Sequence, residues 1–390
     1  MTAYEELTAP SYALPPEVAA QVISPALLID LARVRRNVAH VIEAIGDADR
    51  WRPHVKTTKI PEVWQELSKA GVRNYKCATV REARHLAQLL ESEAPGEGDI
   101  CLAFPAQGPA LQQLGQLALR HPGVSFSIVS EHPEHVDRVP DTVGVFVDVD
   151  PGFERTGLAP SKVDAILSVA AAAGPRFRGV HSYEGHLTQL DYDERRSAAF
   201  AGYETLLALL EALESQGTPA AELVTSGTPG FRCALEFEPF ARLEGTRHRV
   251  SPGTLVVHDN RGWEQNPELD LQPAAVVFTR VVSHPGAGRA TCDAGSKTLA
   301  AEAGSPCALV IGHPELVAER PSEEHLPLKV LSGSPPPLGT ELYLSPRHAC
   351  PTINLAEEAL LLDGGRVLGP VPVAARAHDL WAPAESEVGA

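Results

Sequence analysis

Three kinds of residue in this chain could act together: a lysine at a strand end, loops of small residues, and a histidine beside a cysteine. Lys56 closes the strand-like run 49–56, within Arg52-Pro53-His54-Val55-Lys56-Thr57-Thr58-Lys59. A desolvated amine, or one near other cations, gives up its proton and can hold a carbonyl cofactor as a Schiff base. A lysine taken alone is more often a solvated surface charge. Asp150-Pro151-Gly152-Phe153-Glu154-Arg155-Thr156-Gly157 leaves Arg155 at another strand end. Its guanidinium can hydrogen-bond an anionic ring oxygen or a substrate carboxylate, or pair with an aspartate of its own loop. Tyr183-Glu184-Gly185-His186 ends a third strand and makes His186 a candidate proton carrier, because imidazole titrates near neutrality. A histidine in a glycine loop also serves as a structural hydrogen-bonder.

Thr225-Ser226-Gly227-Thr228-Pro229-Gly230 packs amides and hydroxyls densely enough to wrap a phosphate, and Pro252-Gly253-Thr254 could complete the cup. Ordinary turns use the same residues, so the joint position of the two loops carries the reading. His348-Ala349-Cys350 has i,i+2 spacing. On an extended segment both side chains share a face, so imidazole and thiolate can bind one cation, with zinc preferred over magnesium or calcium. The alternative is a buried thiol beside an unrelated histidine. Ser322-Glu323-Glu324-His325 could support that centre or be a solvated loop, and Lys59 is expected to be solvated or paired with an anion.

These residues need a frame. Strand-like runs at 51–56, 74–78, 100–104, 124–129, 143–150, 177–184, 222–226 and 249–257 alternate with helix-like segments such as 61–70, 80–90, 111–119, 161–172 and 193–216. That pattern predicts a (β/α)8 barrel, whose functional groups gather at the C-terminal strand ends, although an open doubly wound sheet fits the same alternation. No G-x-G-x-x-G opens the first helix, which argues against a dinucleotide fold. Beyond about residue 265, short strands at 274–283, 308–311, 328–331, 341–344, 358–362 and 366–368, separated by Pro- and Gly-rich turns, predict a β-rich domain. The expected organisation is an N-terminal extension (1–24), a barrel domain (25–265) and a β-rich metal-binding domain (266–390), with 25–31 able to pair with the last.

The chain has 390 residues, 44% of them hydrophobic, which is enough for a large core. A net charge of −17 and the lack of basic runs disfavour nucleic acid and anionic membranes as partners. The six cysteines are dispersed with no C-x-x-C, so neither a disulfide framework nor a zinc ribbon is expected, and Cys77, Cys101 and Cys307 lie in apolar contexts. No signal-peptide pattern or membrane span is seen, and a cytoplasmic location is the expectation.

In this order the pieces resemble the fold-type III pyridoxal-phosphate enzymes, an alanine-racemase-type barrel followed by a β domain. Within them the chain looks like the D-serine dehydratase / D-threonine aldolase group. The resemblance rests on RPHVKTTK (52–59), CATVREAR (77–84), D-x-G-x-x-R-x-G (150–157), YEGH (183–186), SGT (226–228), PGT (252–254), CDAGSKTL (292–299), SEEH (322–325) and HACPTINL (348–355). It implies that Lys56 is the Schiff-base lysine and acts at the substrate Cα. Arg155 would face the cofactor's ring oxygen and Tyr183 would line the ring. Ser226, Gly227, Thr228, Gly253 and Thr254 would hold the phosphate. His348 and Cys350 would bind a divalent metal, zinc first, with manganese or cobalt as alternatives. The family usually reads K-T-H-K or K-A-H-K, and Thr58 stands where that histidine would be.

The resemblance implies a small-molecule amino-acid substrate, a D-configured β-hydroxy-α-amino acid, and a homodimer. Dehydration to a 2-oxo acid and ammonia is favoured, since H-x-C resembles the dehydratases. Retro-aldol cleavage to glycine and an aldehyde is the alternative. A racemase would leave His348 and Cys350 without work, and a non-catalytic cofactor carrier would not need the β domain.

Overall fold

The computed structural model describes residue 7 and residues 11–381. Residues 1–6 and 8–10 of the expected extension, and 382–390 at the other end, lie outside the described residues. The chain divides into two compact units, one of residues 42–56, 67–253 and 377–390, the other of 1–41, 57–66 and 254–376.

The first unit is a parallel barrel. After β1 (Ala26–Asp30, in the second unit), its strands are β2 (Asn74–Cys77), β3 (Gly98–Leu102), β4 (Val124–Ser130), β5 (Val143–Val149), β6 (Phe177–Ser182), β7 (Glu222–Thr225) and β8 (Arg247–Val250), paired in sequence order. The expected first strand at 51–56 is shorter than the strand-like run suggested. Trp51 bridges Val250, His54 bridges Lys76, and Val55–Thr57 then tightens into a 3-10 turn. Arg52 N–H donates to Val250 O (2.9 Å) and Lys76 N–H to Pro53 O (3.0 Å), so residues 51–54 fill the eighth position and close the ring. Parallel strands covered on both faces read as apolar runs, as Ile100–Leu102 of β3 and Val145–Val147 of β5 do. Long crossover helices start with local caps. Thr79 accepts from Glu82 N–H at the head of Val80–Glu93, and Asp191 accepts from Glu194 N–H at the head of Tyr192–Ser215.

Inside this barrel lies an ion network. Arg52, fully buried, grips Glu222 through two bonds (2.7 and 2.8 Å) and Asp99 through a third (2.7 Å). Arg178 and Arg249 add bonds to Asp99 and Glu222.

The second unit contains a closed antiparallel barrel of β9 (Ala275–Ser283), β10 (Arg289–Cys292), β11 (Ala308–Val310), β12 (Leu316–Ala318), β13 (Leu326–Val330) and β14 (Glu341–Pro346). Its order is β9-β10-β13-β12-β11-β14, with β14 returning to β9. Strands β10 and β12 were absent from the sequence reading. β1 extends the sheet, antiparallel to β9 and parallel to β15 (Glu358–Asp363), which pairs with β16 (Arg366–Pro372). Val281, Cys292, Cys307, Leu326, Leu342 and Leu344 belong to its core. No helix among the described residues is long and apolar enough to cross a membrane.

Candidate active site

In the parallel barrel, Lys56 sits in the turn Val55–Thr57, directly after the closing strand, and is half-buried. A second lysine lies beside it in the fold. Lys76 on β2 is buried, and its Nζ is 3.3 Å from His181 Nε2 on β6. His181 Nδ1 is 2.7 Å from Asp148 Oδ1 on β5, and Thr156 donates to Asp148 Oδ2 (2.9 Å). Burial and then the charge of Lys56 bring the Lys76 ammonium pKa down to about 7. Burial and Lys76 also lower His181, despite Asp148. Burial alone would raise Asp148, but the His181 hydrogen bond and charge hold it below the usual carboxylate range. His54 is pushed well below its usual value by burial and by Lys56 and Lys76. The sequence reading missed Lys76, Asp148 and His181. Their signal was an ionisable residue inside a short apolar strand, a costly choice without a purpose.

Asp150 accepts the backbone N–H groups of Gly152 (3.0 Å), Phe153 (2.6 Å) and Glu154 (2.6 Å), which shapes the loop carrying Arg155. The Arg155 guanidinium lies 4.9 Å from the Phe153 ring centre and 5.1 Å from that of Tyr183. Tyr183 is wedged between two glycines. A Cβ at Gly185 would come within 2.4 Å of its ring, and one at Gly227 within 2.6 Å. His186 stacks on Phe153 at 6.2 Å, and its Nδ1 is buried with no hydrogen-bond partner among the described residues.

Ser226 follows β7 in a left-handed conformation (φ 51°), fully buried. Its N–H donates to Glu184 Oε2 (3.2 Å), while its hydroxyl has no hydrogen-bond partner among the described residues. Glu184 also accepts from the Tyr203 hydroxyl, and burial raises its pKa. An orphaned hydroxyl followed by a glycine at a strand end is a cradle suited to a phosphate, with Thr228 and, after β8, Gly253 as further donors. The residues present therefore fit pyridoxal phosphate: an amine for its carbonyl carbon and polar groups at a strand end for its anion.

The other half of the predicted chemistry lies in the second unit. His348 and Cys350 are not on an extended segment as expected. His348 precedes the helix Ala349–Leu355, and Cys350 lies in its first turn. The helix starts there because Asp259 accepts the Ala349 N–H (2.8 Å), satisfying a donor that a helix start leaves open. His348 is pushed up to about 9, because its hydrogen bond to Cys350 and the thiolate charge outweigh burial. Cys350 is lowered in turn, since the same pairing outweighs the upward pull of burial. Cys350 Sγ lies 3.3 Å from the Thr57 hydroxyl and 3.5 Å from that of Thr254, and His348 Nδ1 lies 2.7 Å from Glu302 Oε1. Among the described residues no group of three or more His, Cys, Asp or Glu is arranged to hold a metal. The thiolate–imidazole pair fits a divalent cation only as a two-donor site completed by water or substrate.

Thr58 is buried, and its hydroxyl accepts from Trp64 Nε1 (2.7 Å). Of the two alternatives expected for Lys59, the solvated one is not met. Lys59 is buried with φ 54°, and its carbonyl accepts the Ala375 N–H. Residues 322–325 form an exposed loop whose Ser322 and Glu323 carbonyls accept from Ser296 and Lys297 N–H.

A parallel barrel with a lysine at its first strand end, followed by an antiparallel β domain, defines the alanine-racemase-like fold. The family model "Alanine racemase, N-terminal domain" matches residues 29–257, and "Putative serine dehydratase domain" matches 274–362. The chain belongs to the alanine racemase N-terminal domain family, of fold-type III pyridoxal-phosphate enzymes, and is a pyridoxal-phosphate-dependent lyase of that kind. It is 28% identical over 373 residues to D-threonine aldolase of Arthrobacter sp, covering 92% of this chain and 94% of that protein. It is 27% identical over 380 residues to D-threo-3-hydroxyaspartate dehydratase of Delftia sp. strain HT23, covering 87% and 95%. The crystal structure of D-threonine aldolase from Filomicrobium marinum superposes with a TM-score of 0.81 at 25% identity, over 92% of this chain and 96% of that one.

Proposed function

We propose that this lyase acts on a D-configured β-hydroxy-α-amino acid and dehydrates it to a 2-oxo acid and ammonia. The observation that carries the choice of reaction is the orientation of residue 58. Retro-aldol cleavage needs a base at the β-hydroxyl, and Thr58 is turned into the core toward Trp64, where it supplies none. Dehydration needs its base at Cα, a role the Lys56 amine would fill. Pyridoxal phosphate, when bound, supplies an electron sink for negative charge at Cα.

The remaining roles follow from residue chemistry. Lys56 would hold the cofactor's carbonyl carbon, Arg155 its ring oxygen, and Tyr183 would line its ring. Ser226, Gly227, Thr228, Gly253 and Thr254 bind the phosphate. His186, with its unpartnered Nδ1, would supply the proton that leaves with the β-hydroxyl. His348 and Cys350 would hold a divalent cation, zinc by the softness of the pair, which when bound would supply Lewis-acid chemistry. Water lost from Cβ is balanced by the water that releases ammonia. The working form is a homodimer.

Similarity to D-threonine aldolases favours retro-aldol cleavage to glycine and an aldehyde as a second reading. Incubation of the full-length protein with pyridoxal phosphate, zinc and D-serine, D-threonine or D-threo-3-hydroxyaspartate tests both. Ammonia released with pyruvate, 2-oxobutanoate or oxaloacetate supports dehydration. Glycine formed without ammonia replaces it with the aldolase reading, and neither outcome from any substrate overturns both.

A further inference from the structure

The loop given to the phosphate is held from behind by a carboxyl group that no step of the proposed reaction uses. Glu184 follows β6 by two residues and is buried. Its Oε2 accepts the Ser226 N–H (3.2 Å), and its Oε1 accepts the Tyr203 hydroxyl. Tyr203, on the helix Tyr192–Ser215, is itself buried. Its ring centre lies 5.4 Å from that of Phe237 and 4.8 Å from that of Phe240. The phenol is therefore a fixed donor, and it fixes the carboxyl in turn.

The loop is held at other points too. The Ser226 carbonyl accepts the Ser251 N–H (2.9 Å), so both backbone polar groups of Ser226 are engaged and its hydroxyl is what it can offer a ligand. A Cβ at Gly227 would come within 2.6 Å of the Tyr183 ring, and one at Gly230 would clash with Glu184 Oε1. Arg195, on the same helix as Tyr203, donates to Pro229 O (3.2 Å). A serine at φ 51° persists only where its surroundings hold it there. Glu184 is one of the two groups bonded to the Ser226 backbone, and it also packs against Gly230 at the far end of the loop. Burying a carboxyl costs free energy that its hydrogen bonds must offset. Of its two side-chain donors, one is the loop and the other is the phenol that braces it.

We propose that Glu184, braced by Tyr203, is the positioning residue that aims the Ser226 hydroxyl at the cofactor's phosphate. The inference rests on the assignment of Ser226 to that phosphate. It makes the Ser226 N–H a tether and leaves the hydroxyl to carry that residue's contribution to binding. Without the carboxyl the N–H loses its acceptor, and a serine gains by leaving the left-handed region. That change rotates the Cα–Cβ bond and turns the hydroxyl with it.

The test uses the full-length chain freed of cofactor and titrated, by visible absorbance, with pyridoxal phosphate and with pyridoxal, which lacks the phosphate. The ratio of the two dissociation constants measures phosphate recognition. Chemistry at the aldehyde, including the hemiacetal that pyridoxal forms with its own hydroxyl, cancels between variants. Glu184→Ala should lower the preference for pyridoxal phosphate roughly ten- to a hundredfold, with pyridoxal bound as in the parent. Glu184→Gln should stay close to the parent. Its carbonyl oxygen can accept the Ser226 N–H while its amide donates to the Tyr203 hydroxyl, which can also accept. If Glu184→Ala does not fold, Tyr203→Phe carries the expectation, with a smaller loss in the same direction. Equal weakening of both ligands, or lowered thermal stability with an unmoved ratio, overturns the proposal. Ser226→Ala, titrated beside them, keeps two failures apart. If it lowers the ratio and loss of the Glu184 carboxyl does not, the phosphate assignment stands and the positioning role falls. If it leaves the ratio unmoved, both fall.

Discussion

Replacing Ser226 by alanine should separate cofactor affinity from stability, because the hydroxyl is useful to a phosphate and a liability without one. Ser226 is fully buried and its Oγ has no hydrogen-bond partner among the described residues. Serine and alanine both carry a Cβ, so the cost of the left-handed backbone at φ 51° is the same in parent and variant. Removing a buried unsatisfied hydroxyl relieves a desolvation penalty of about 1–3 kcal/mol, so the cofactor-free variant should be at least as stable as the parent. A hydrogen bond to a charged group contributes about 1.5–3 kcal/mol, so the variant should bind pyridoxal phosphate roughly ten- to a hundredfold more weakly. Urea unfolding of the cofactor-free chain reads the first quantity, and absorbance titration with pyridoxal phosphate reads the second. A variant that is destabilised without cofactor yet binds it with unchanged affinity would refute the assignment of Ser226 to the phosphate.

Other residues lead to equally direct expectations. Thr58→Val leaves the buried Trp64 indole N–H without its acceptor and should cost about 1–3 kcal/mol in chemical denaturation; no loss would mean that the bond has no energetic weight. Glu222→Gln strips the fully buried Arg52 of its two-bond carboxylate partner and should cost about 3–5 kcal/mol by the same measurement. Burial brings His248, which bonds the Thr225 hydroxyl, down to about 3. Below the unfolded value the unfolded chain binds a proton that the folded one refuses. The stability is thus complete above about pH 6.5 and is lost as pH falls toward 3. The loss should reach about 2 kcal/mol at pH 5, and His248→Phe should flatten that part of the stability–pH curve.

Much of the barrel was legible because its code is local. The apolar runs of β3 to β7 and the capping residues Thr79 and Asp191 announce strands and helices within a few neighbours. The closing strand was read too long, because Val55 and Lys56 continue a strand-like run while their backbone already turns. Strands β10 and β12 were missed since each is four residues or fewer and is made a strand by pairing with β13. The helix after His348 was hidden for the same reason: Asp259, distant in sequence, provides the acceptor at its start.

The site divides along the same line. Ser226 and Arg155 could be singled out because small-residue loops and a strand-end arginine are local patterns, and Lys56 because it ends a run. Lys76, His181 and Asp148 could not be connected from sequence, since they stand on β2, β6 and β5 and meet only when the ring closes. Each still left a local trace, an ionisable side chain within an apolar strand of four to seven residues. Burying such a group costs several kcal/mol unless it is paired. One of them in a barrel strand is therefore a reason to look for its partner on another strand, and three together are a reason to expect a network.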